Sequence, residues 1–205
     1  AGISAFGAGG SNAHLIVEEY IPKAKKEYHS EDAAIIVLSA KSIDRLEDQV
    51  LNLRSYLDNH KDVNIYDLAY TLQVGRESMG ERLAFMVEDI GSLSAEIEIY
   101  LSSGKGSFFR GRVDEASASE FLLEGEAGKG YMEIAIRKKE SKSLVQLWVS
   151  GIDIDWQLLY EPGYVPSKIS LPTYPFAKER YWVPFSESRL PIMRGTDYLH
   201  PLIHK

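Results

Sequence analysis

Residues 33–57 read AAIIVLSAKSIDRLEDQVLNLRSYL and combine a continuous apolar run with the clearest periodicity in the chain. The apolar run at 33–40 is typical of a buried strand. After Ser42, apolar side chains recur every three or four residues, which is the spacing of one face of an amphipathic helix: Ile43, Leu46, Val50, Leu53 and Leu57. We therefore predict a buried strand followed directly by a helix.

A second, shorter helix is predicted immediately downstream. Asn64 followed three residues later by Asp67 resembles a capping box, although the usual acid at that position is glutamate. The apolar positions at Ile65, Leu68, Ala69 and Leu72 then give the helix one apolar face. Gly75 is predicted to end it.

Two more strands and a third helix complete this region. LAFMVED at 83–89 alternates between apolar and polar residues, and SFFRGRV at 107–113 is a further strand candidate. Ser92 is predicted to open a helix that ends at Gly104. The order of elements predicts an α/β (α+β) domain over residues 33–114, in which a small three-stranded sheet is covered by helices.

Short helices are predicted over residues 115–170, broken by glycines. Trp148 and Trp156 are predicted as structural anchors in the core, together with Asp155; a ligand-stacking cage made by the two indoles is the weaker alternative. In GIDIDW, Asp153 and Asp155 alternate with apolar residues, so we expect both carboxylates to face solvent. Paired catalytic carboxylates are the disfavoured reading of the same alternation.

LPTYPFAKERYWVP at 171–184 contains three prolines and four aromatic rings. Proline interrupts helix interiors and central strands, so this segment fits neither. Its apolar content is too high for a free tail. We predict an extended, aromatic and proline-rich strap over residues 171–189 that lies along a protein surface.

Composition excludes several classes of function. The 205-residue chain has a net charge of -7 and a pI near 5.3, which argues against a nucleic-acid groove. No apolar run approaches the roughly 18 residues of a membrane span. Cysteine is absent, which removes disulfides and thiolate nucleophiles and is compatible with a cytoplasmic location.

The motifs associated with catalysis or cofactors are incomplete. FGAGGSN at 6–12 is glycine-rich, but it lacks a Walker lysine and a following helix, so a tight turn between two strands is favoured over a phosphate site. His200 and His204 are four apart, yet Pro201 disfavours a helix there. There is no G-x-S-x-G elbow. We predict no catalytic, cofactor-binding or metal-binding residue and no enzymatic activity.

Several segments resemble parts of modular polyketide synthases. GISAFGAGGSNAHLIVEEY, within residues 1–20, resembles the C-terminal end of a ketosynthase domain, and the polar segment 21–32 would follow it as a linker. IIVLSAKSIDRLEDQVLNLRSYL, DLAYTLQVGRESMGERLAFMVED and SLSAEIEIYL resemble the small α/β linker domain after a ketosynthase. ISLPTYPFAKERYWVP resembles the strap that follows an acyltransferase, and LHPLIHK, within 190–205, resembles the start of a dehydratase domain.

The resemblance also implies what is missing. Only about twenty residues stand between Gly104 and Leu123, where an embedded acyltransferase would need about 300. That arrangement is typical of synthases whose acyltransferase is a separate protein acting in trans. Residues 115–170 would then be the acyltransferase-docking remnant.

The resemblance implies a non-catalytic scaffold and docking module that spaces ketosynthase from dehydratase. Its partners would be those two domains of the same chain and a trans-acting acyltransferase, in a cytoplasmic parent that is homodimeric through the ketosynthase. A purely structural spacer that does not bind the acyltransferase is the alternative, and a free-standing enzyme a third. The strap residues expected at interdomain contacts are Tyr174, Pro175, Phe176, Arg180, Tyr181 and Trp182.

Overall fold

The computed structural model of the chain describes residues 1–21, 27–113 and 126–179, with only the backbone for 126–129. Two compact units are distinguished, Ala1–Pro175 and Phe176–Lys205. Every helix and strand of the described residues lies in the first unit.

The chain begins with a hairpin made of β1 (Gly2–Phe6) and β2 (Asn12–Ile16), which pair antiparallel. In the turn, the Gly7 N–H donates to the Ser11 carbonyl (2.7 Å), and Gly9 and Gly10 have positive φ values that favour glycine. The predicted strand, glycine-rich turn and strand are therefore confirmed. Residues 1–21 are all exposed.

The second sheet contains β3 (Ala34–Ala40), β4 (Glu81–Val87) and β5 (Phe109–Arg112), antiparallel and in that order. Every residue of β3 is buried, and every residue of β4 except the half-buried Met86. A sheet with one solvated face would alternate between buried and exposed residues. Continuous burial shows that both faces are covered, which confirms the predicted three-stranded sheet under helices.

Five α-helices and one 3-10 helix belong to the described residues: α1 (Ile43–Asn59), α2 (Ile65–Val74), α3 (Ile90–Ser103), α4 (Glu126–Arg137), α5 (Ser141–Val149) and the 3-10 helix Trp156–Leu159. The face of α1 that the periodicity predicts is the buried one. Leu46 and Val50 are fully buried there, and Leu53 and Leu57 nearly so. The apolar spacing in the sequence therefore determines how α1 packs on β3.

The start of α3 corrects the sequence-based prediction. The helix begins at Ile90 rather than after Ser92, because Asp89 is its N-cap and accepts a hydrogen bond from the Ser92 N–H (2.7 Å). The Ser92 backbone N–H, with the Ser92 hydroxyl, holds the pKa of the Asp89 carboxyl below its usual value. Asp89 also ends the alternating LAFMVED segment, which concealed its role as a cap.

The capping box predicted for α2 is only half correct. The Asn64 side chain accepts hydrogen bonds from the N–H groups of Tyr66 (2.8 Å) and Asp67 (3.3 Å), as an N-cap should. The Asp67 carboxylate, predicted to complete the box, accepts instead from the N–H of Ser167 (2.6 Å). A residue assigned to local capping thus holds a segment far away in the sequence.

The C-terminal end of α5 approaches β5 at Gly111. A Cβ atom added at Gly111 would overlap the carbonyl oxygen of Val149. Glycine is required at this position because it lets two backbones touch. This contact fixes α5 against the sheet.

We expect Gly111→Ala to lower the free energy of unfolding by about 2 to 3 kcal/mol, because the new methyl group must displace backbone. Gly130→Ala in α4 is the matched control, since a Cβ there meets nothing within 4 Å. The control should gain about 0.5 to 1 kcal/mol from helix propensity. Denaturant unfolding of both variants measures the difference, and equal effects would contradict the close contact.

Candidate interdomain site

The segment just before the strap lies on α2, where two side chains hold its backbone. Besides the Ser167 bond to Asp67, the Ile169 N–H donates to the Thr71 hydroxyl oxygen (2.9 Å). Asp67 and Thr71 lie four residues apart and so share one face of α2. The segment that leads into the strap is therefore attached to α2 by its main chain.

The strap then continues toward the loop before α1. The Arg76 guanidinium donates to the carbonyl of Pro172 (3.1 Å), and Leu171 is buried. The Tyr174 hydroxyl accepts a hydrogen bond from the Lys41 N–H (3.2 Å). From 167 to 174 this segment therefore lies on the surface of its own α/β domain.

Two tryptophans lie beneath this part of the structure. Trp148 in α5 is 2% exposed and Trp156 is 4% exposed, and their rings meet edge to face with centroids 6.4 Å apart. The Trp148 indole N–H donates to the Ser78 hydroxyl (3.3 Å). Asp155 accepts from the N–H of Gln157 (3.1 Å) and so caps the 3-10 helix that carries Trp156. Both indoles are part of the core.

Arg82, at the start of β4, makes the densest set of polar contacts in this region. Its guanidinium is buried and donates to the backbone carbonyls of Met79 (3.0 Å), Trp148 (2.8 Å) and Ile152 (3.1 Å). It also donates to the Asp153 carboxylate (2.9 Å) and lies 5.2 Å from the centre of the Trp148 ring. We call this arrangement the arginine clamp.

Sequence reasoning missed the arginine clamp. Arg82 lies directly before the predicted strand at 83–89, and the Trp148 carbonyl to which it donates is 66 residues away in the chain. No local pattern marks an arginine whose acceptors are distant backbone carbonyls. The one available signal is a charged residue directly before a predicted strand.

The two aspartates of GIDIDW follow the predicted alternation. Asp153 and Asp155 are exposed, whereas Ile154 and Trp156 are buried. Their carboxylates serve different partners, the Arg82 guanidinium and the Gln157 N–H. This arrangement is structural and does not form a pair of carboxylates directed at one substrate.

Tyrosines join the segment before β3 to the segment that enters the strap. Tyr28 is 9% exposed, and its ring centroid lies 5.5 Å from that of Tyr66, 5.8 Å from that of Tyr160 and 4.8 Å from that of Tyr164. The Tyr164 hydroxyl also accepts from the His29 N–H (3.1 Å). We call these four rings the tyrosine cluster.

The tyrosine cluster changes the interpretation of the predicted linker. Segment 21–32 is polar in sequence, yet Tyr28 is packed and its carbonyl accepts a hydrogen bond from the Asn64 side chain (3.2 Å). Lys139 pairs with Asp32 (3.1 Å). The described residues 27–32 are thus attached to the domain at several points.

The hydroxyls of the cluster are unsuited to acid–base chemistry. Burial raises the pKa of Tyr160 far above its usual value, and the hydroxyl donates to the Gln73 side-chain oxygen (2.6 Å). Burial also raises the pKa of Tyr28. Both side chains therefore remain neutral over the physiological pH range.

A cavity of about 180 Å³ lies between the strap, α1, α2 and the tryptophans. Its apolar lining includes Leu53, Leu72, Trp148, Trp156 and Leu171.

Within residues 1–21, 27–113 and 126–179, no three potential metal ligands come together. Among the same residues, no helix is both long and apolar enough to cross a membrane.

The predicted interdomain residues differ in how far the structure exposes their side chains to solvent. Tyr174 and Pro175 are half-buried, and Phe176 is 77% exposed. The strap prediction also names Arg180, Tyr181 and Trp182, which lie outside the described residues. The structure therefore brings Tyr174 onto the α/β domain and leaves the Phe176 ring accessible.

The chain has clear relatives. Residues 37–104 match the family model described as "RhiE-like, KS-MAT linker domain". The polyketide synthase PksN of Bacillus subtilis is 39% identical over 100% of this chain, and PksM of the same organism is 40% identical over 97%. The matching segments span only 4% and 5% of those proteins.

Solved structures agree with this match. The ketosynthase from module 6 of the bacillaene synthase of Bacillus subtilis is 36% identical, with a TM-score of 0.71. The ketosynthase from module 1 of the bacillaene synthase of Bacillus amyloliquefaciens is 35% identical, with a TM-score of 0.67. The alignments cover 89% and 88% of this chain, and 31% and 30% of those chains.

We expect Arg82→Lys to lower the free energy of unfolding by about 2 to 4 kcal/mol, because an ammonium cannot reach the three carbonyls that the guanidinium fork satisfies. Asp153→Asn is the control. It removes the charge of an exposed partner and should cost less than about 1 kcal/mol. Urea unfolding of both variants tests this, and a larger loss for Asp153→Asn would show that the ion pair dominates.

Proposed function

We propose that the chain is part of a polyketide synthase with a linker domain of the RhiE-like type, and that it is a non-catalytic module that fixes a ketosynthase relative to the domain downstream. The tyrosine cluster is the observation that carries this proposal. It joins residues 27–29, which follow the ketosynthase-like segment, to residues 160–164, which lead into the strap.

A fixed geometry is the physical consequence of that junction. A flexible linker would let neighbouring domains move over distances that grow with its length. Tyr28 instead buries a ring, which contributes about 2 kcal/mol, and each edge-to-face contact adds about 0.5 to 1.5 kcal/mol. The points where the chain enters and leaves the α/β domain are therefore held together.

A non-catalytic role is supported by the chemistry of the side chains. The chain has no cysteine to act as a nucleophile. Asp153 and Asp155 are engaged in structural contacts, and Tyr28 and Tyr160 are held neutral. Among the described residues, the Ser4 hydroxyl and the His14 ring nitrogen Nδ1 lie 2.8 Å apart, but they are cross-strand partners in the exposed hairpin, and we assign their contact to strand pairing.

An acyltransferase acting in trans is the second part of the proposal. Only residues 113–125 separate β5 from α4, whereas an embedded acyltransferase needs about 300 residues. The acyl group must then be supplied by another protein, for which this module offers a docking surface. The dehydratase that follows the strap, the ketosynthase-mediated homodimer and the cytoplasmic location belong to the same proposal.

Calorimetric titration of the chain with the discrete acyltransferase of the same biosynthetic system tests docking. We expect saturable heat and a complex that coelutes in size-exclusion chromatography. An acyltransferase of an unrelated pathway is the control and should give neither. Absence of both signals with the cognate enzyme would favour the purely structural spacer.

The scaffold part is tested by aromatic substitutions in the chain with and without an attached ketosynthase. Trp156→Ala should cost about 3 to 5 kcal/mol in both contexts, because a large buried ring is lost. Phe176→Ala and Trp182→Ala should cost clearly less in the isolated chain, yet weaken packing against the ketosynthase. Denaturant melts measure this, and context-independent losses for the strap variants would refute an interdomain role.

A further inference from the structure

The outer side of α4 carries two large apolar side chains. Tyr131 is 49% exposed and Ile134 is 44% exposed, while the next two residues, Ala135 and Ile136, are buried in the core. Because residues three apart are neighbours on a helix, Tyr131 and Ile134 form one apolar strip. The described part of the chain leaves this strip accessible to solvent.

Gly130 lies beside the same strip. Its position is one turn before Ile134, and a Cβ there would meet nothing within 4 Å. Glycine inside a helix costs about 0.5 to 1 kcal/mol relative to alanine, and the fold does not use the missing side chain. The missing side chain leaves a shallow depression in the helix surface next to Tyr131 and Ile134, where the backbone of a partner protein can approach closely.

Cationic side chains lie around the C-terminal end of the strip. Arg137, Lys138 and Lys142 are exposed, and within the described residues none of them is ion-paired, whereas Lys139 pairs with Asp32. Arg137 suits the negative end of the α4 macrodipole. Lys142 lies in the first turn of α5, where the macrodipole disfavours a cation, so helix stability does not account for it.

The position of α4 along the chain is also informative. It is the first described helix after the short segment 113–125, where an embedded acyltransferase would be connected. An apolar strip with a cationic end suits a partner that offers apolar side chains next to carboxylates. Residues 137–142 carry four cations and one carboxylate, Glu140, in a chain whose net charge is -7.

We propose that the outer side of α4, comprising Gly130, Tyr131 and Ile134 with the cations Arg137, Lys138 and Lys142, is the docking face for the trans-acting acyltransferase. The acyltransferase contributes an acidic patch around an apolar centre. This inference rests on the proposed docking function and assigns it to one surface. An area of this size gives a weak, transient and salt-sensitive complex.

Calorimetry with the cognate acyltransferase tests the face through substitutions of exposed residues. We expect the double variant Tyr131→Ser/Ile134→Ser to bind at least tenfold more weakly, because the apolar centre is lost. Lys138→Glu should also weaken binding at least tenfold at low salt, and less at high salt. Gly130→Gln should do the same by filling the gap, whereas Gly130→Ala should have a smaller effect.

Leu51→Ser in α1 and Lys105→Glu are matched controls. Leu51 is 45% exposed and Lys105 is exposed, and both lie outside α4 and α5. The controls should bind within twofold of the unmodified chain, and thermal melts should show that all variants fold. If every α4 variant bound the acyltransferase within twofold of the unmodified chain, α4 would not be the docking face, although docking itself would stand. Failure of the unmodified chain to bind would overturn both.

Discussion

The fold depends on satisfying one buried guanidinium. Moving an ion out of water costs several kcal/mol unless good acceptors surround it. Arg82 meets this requirement only when the end of α5 and the turn after it present the carbonyls of Trp148 and Ile152. The need to satisfy Arg82 therefore fixes α5 against β4. Trp148 lies in α5, and its ring contacts that of Trp156. The contact at Gly111 secures the same helix end against the neighbouring strand.

The elements of the α/β domain were predictable because their signals are local. The continuous apolar run of β3 and the three-to-four-residue spacing from Ile43 to Leu57 can each be recognised within a short stretch of sequence. The structure follows both. The start of α3 was missed by three residues because Asp89 fits both an alternating strand and an N-cap. Local patterns give the type of an element more securely than its ends.

The candidate site was less predictable, since its key contacts join distant residues. Ser167 and Asp67 are 100 residues apart, and His29 and Tyr164 are 135 residues apart. A polar segment such as 27–32 looks like a linker until the rings that receive Tyr28 are known. The composition of the strap predicts that it needs a surface, and the described residues 171–175 lie on one. The side chains that hold the segment just before it could not be foreseen, because Asp67 was assigned to a local cap and Thr71 carried no signal.

The way the strap is attached also determines how the module responds to mechanical tension. A pull on the C-terminal side would load the contacts of Tyr174, Leu171, Ile169 and Ser167 one after another. Each freed residue lengthens the tether by at most about 3.6 Å. The tyrosine cluster is loaded next, and the hydrogen-bonded β3–β4 pair is shielded behind it. Tension from the C-terminal side would therefore release residues 167–174 before it reached the tyrosine cluster.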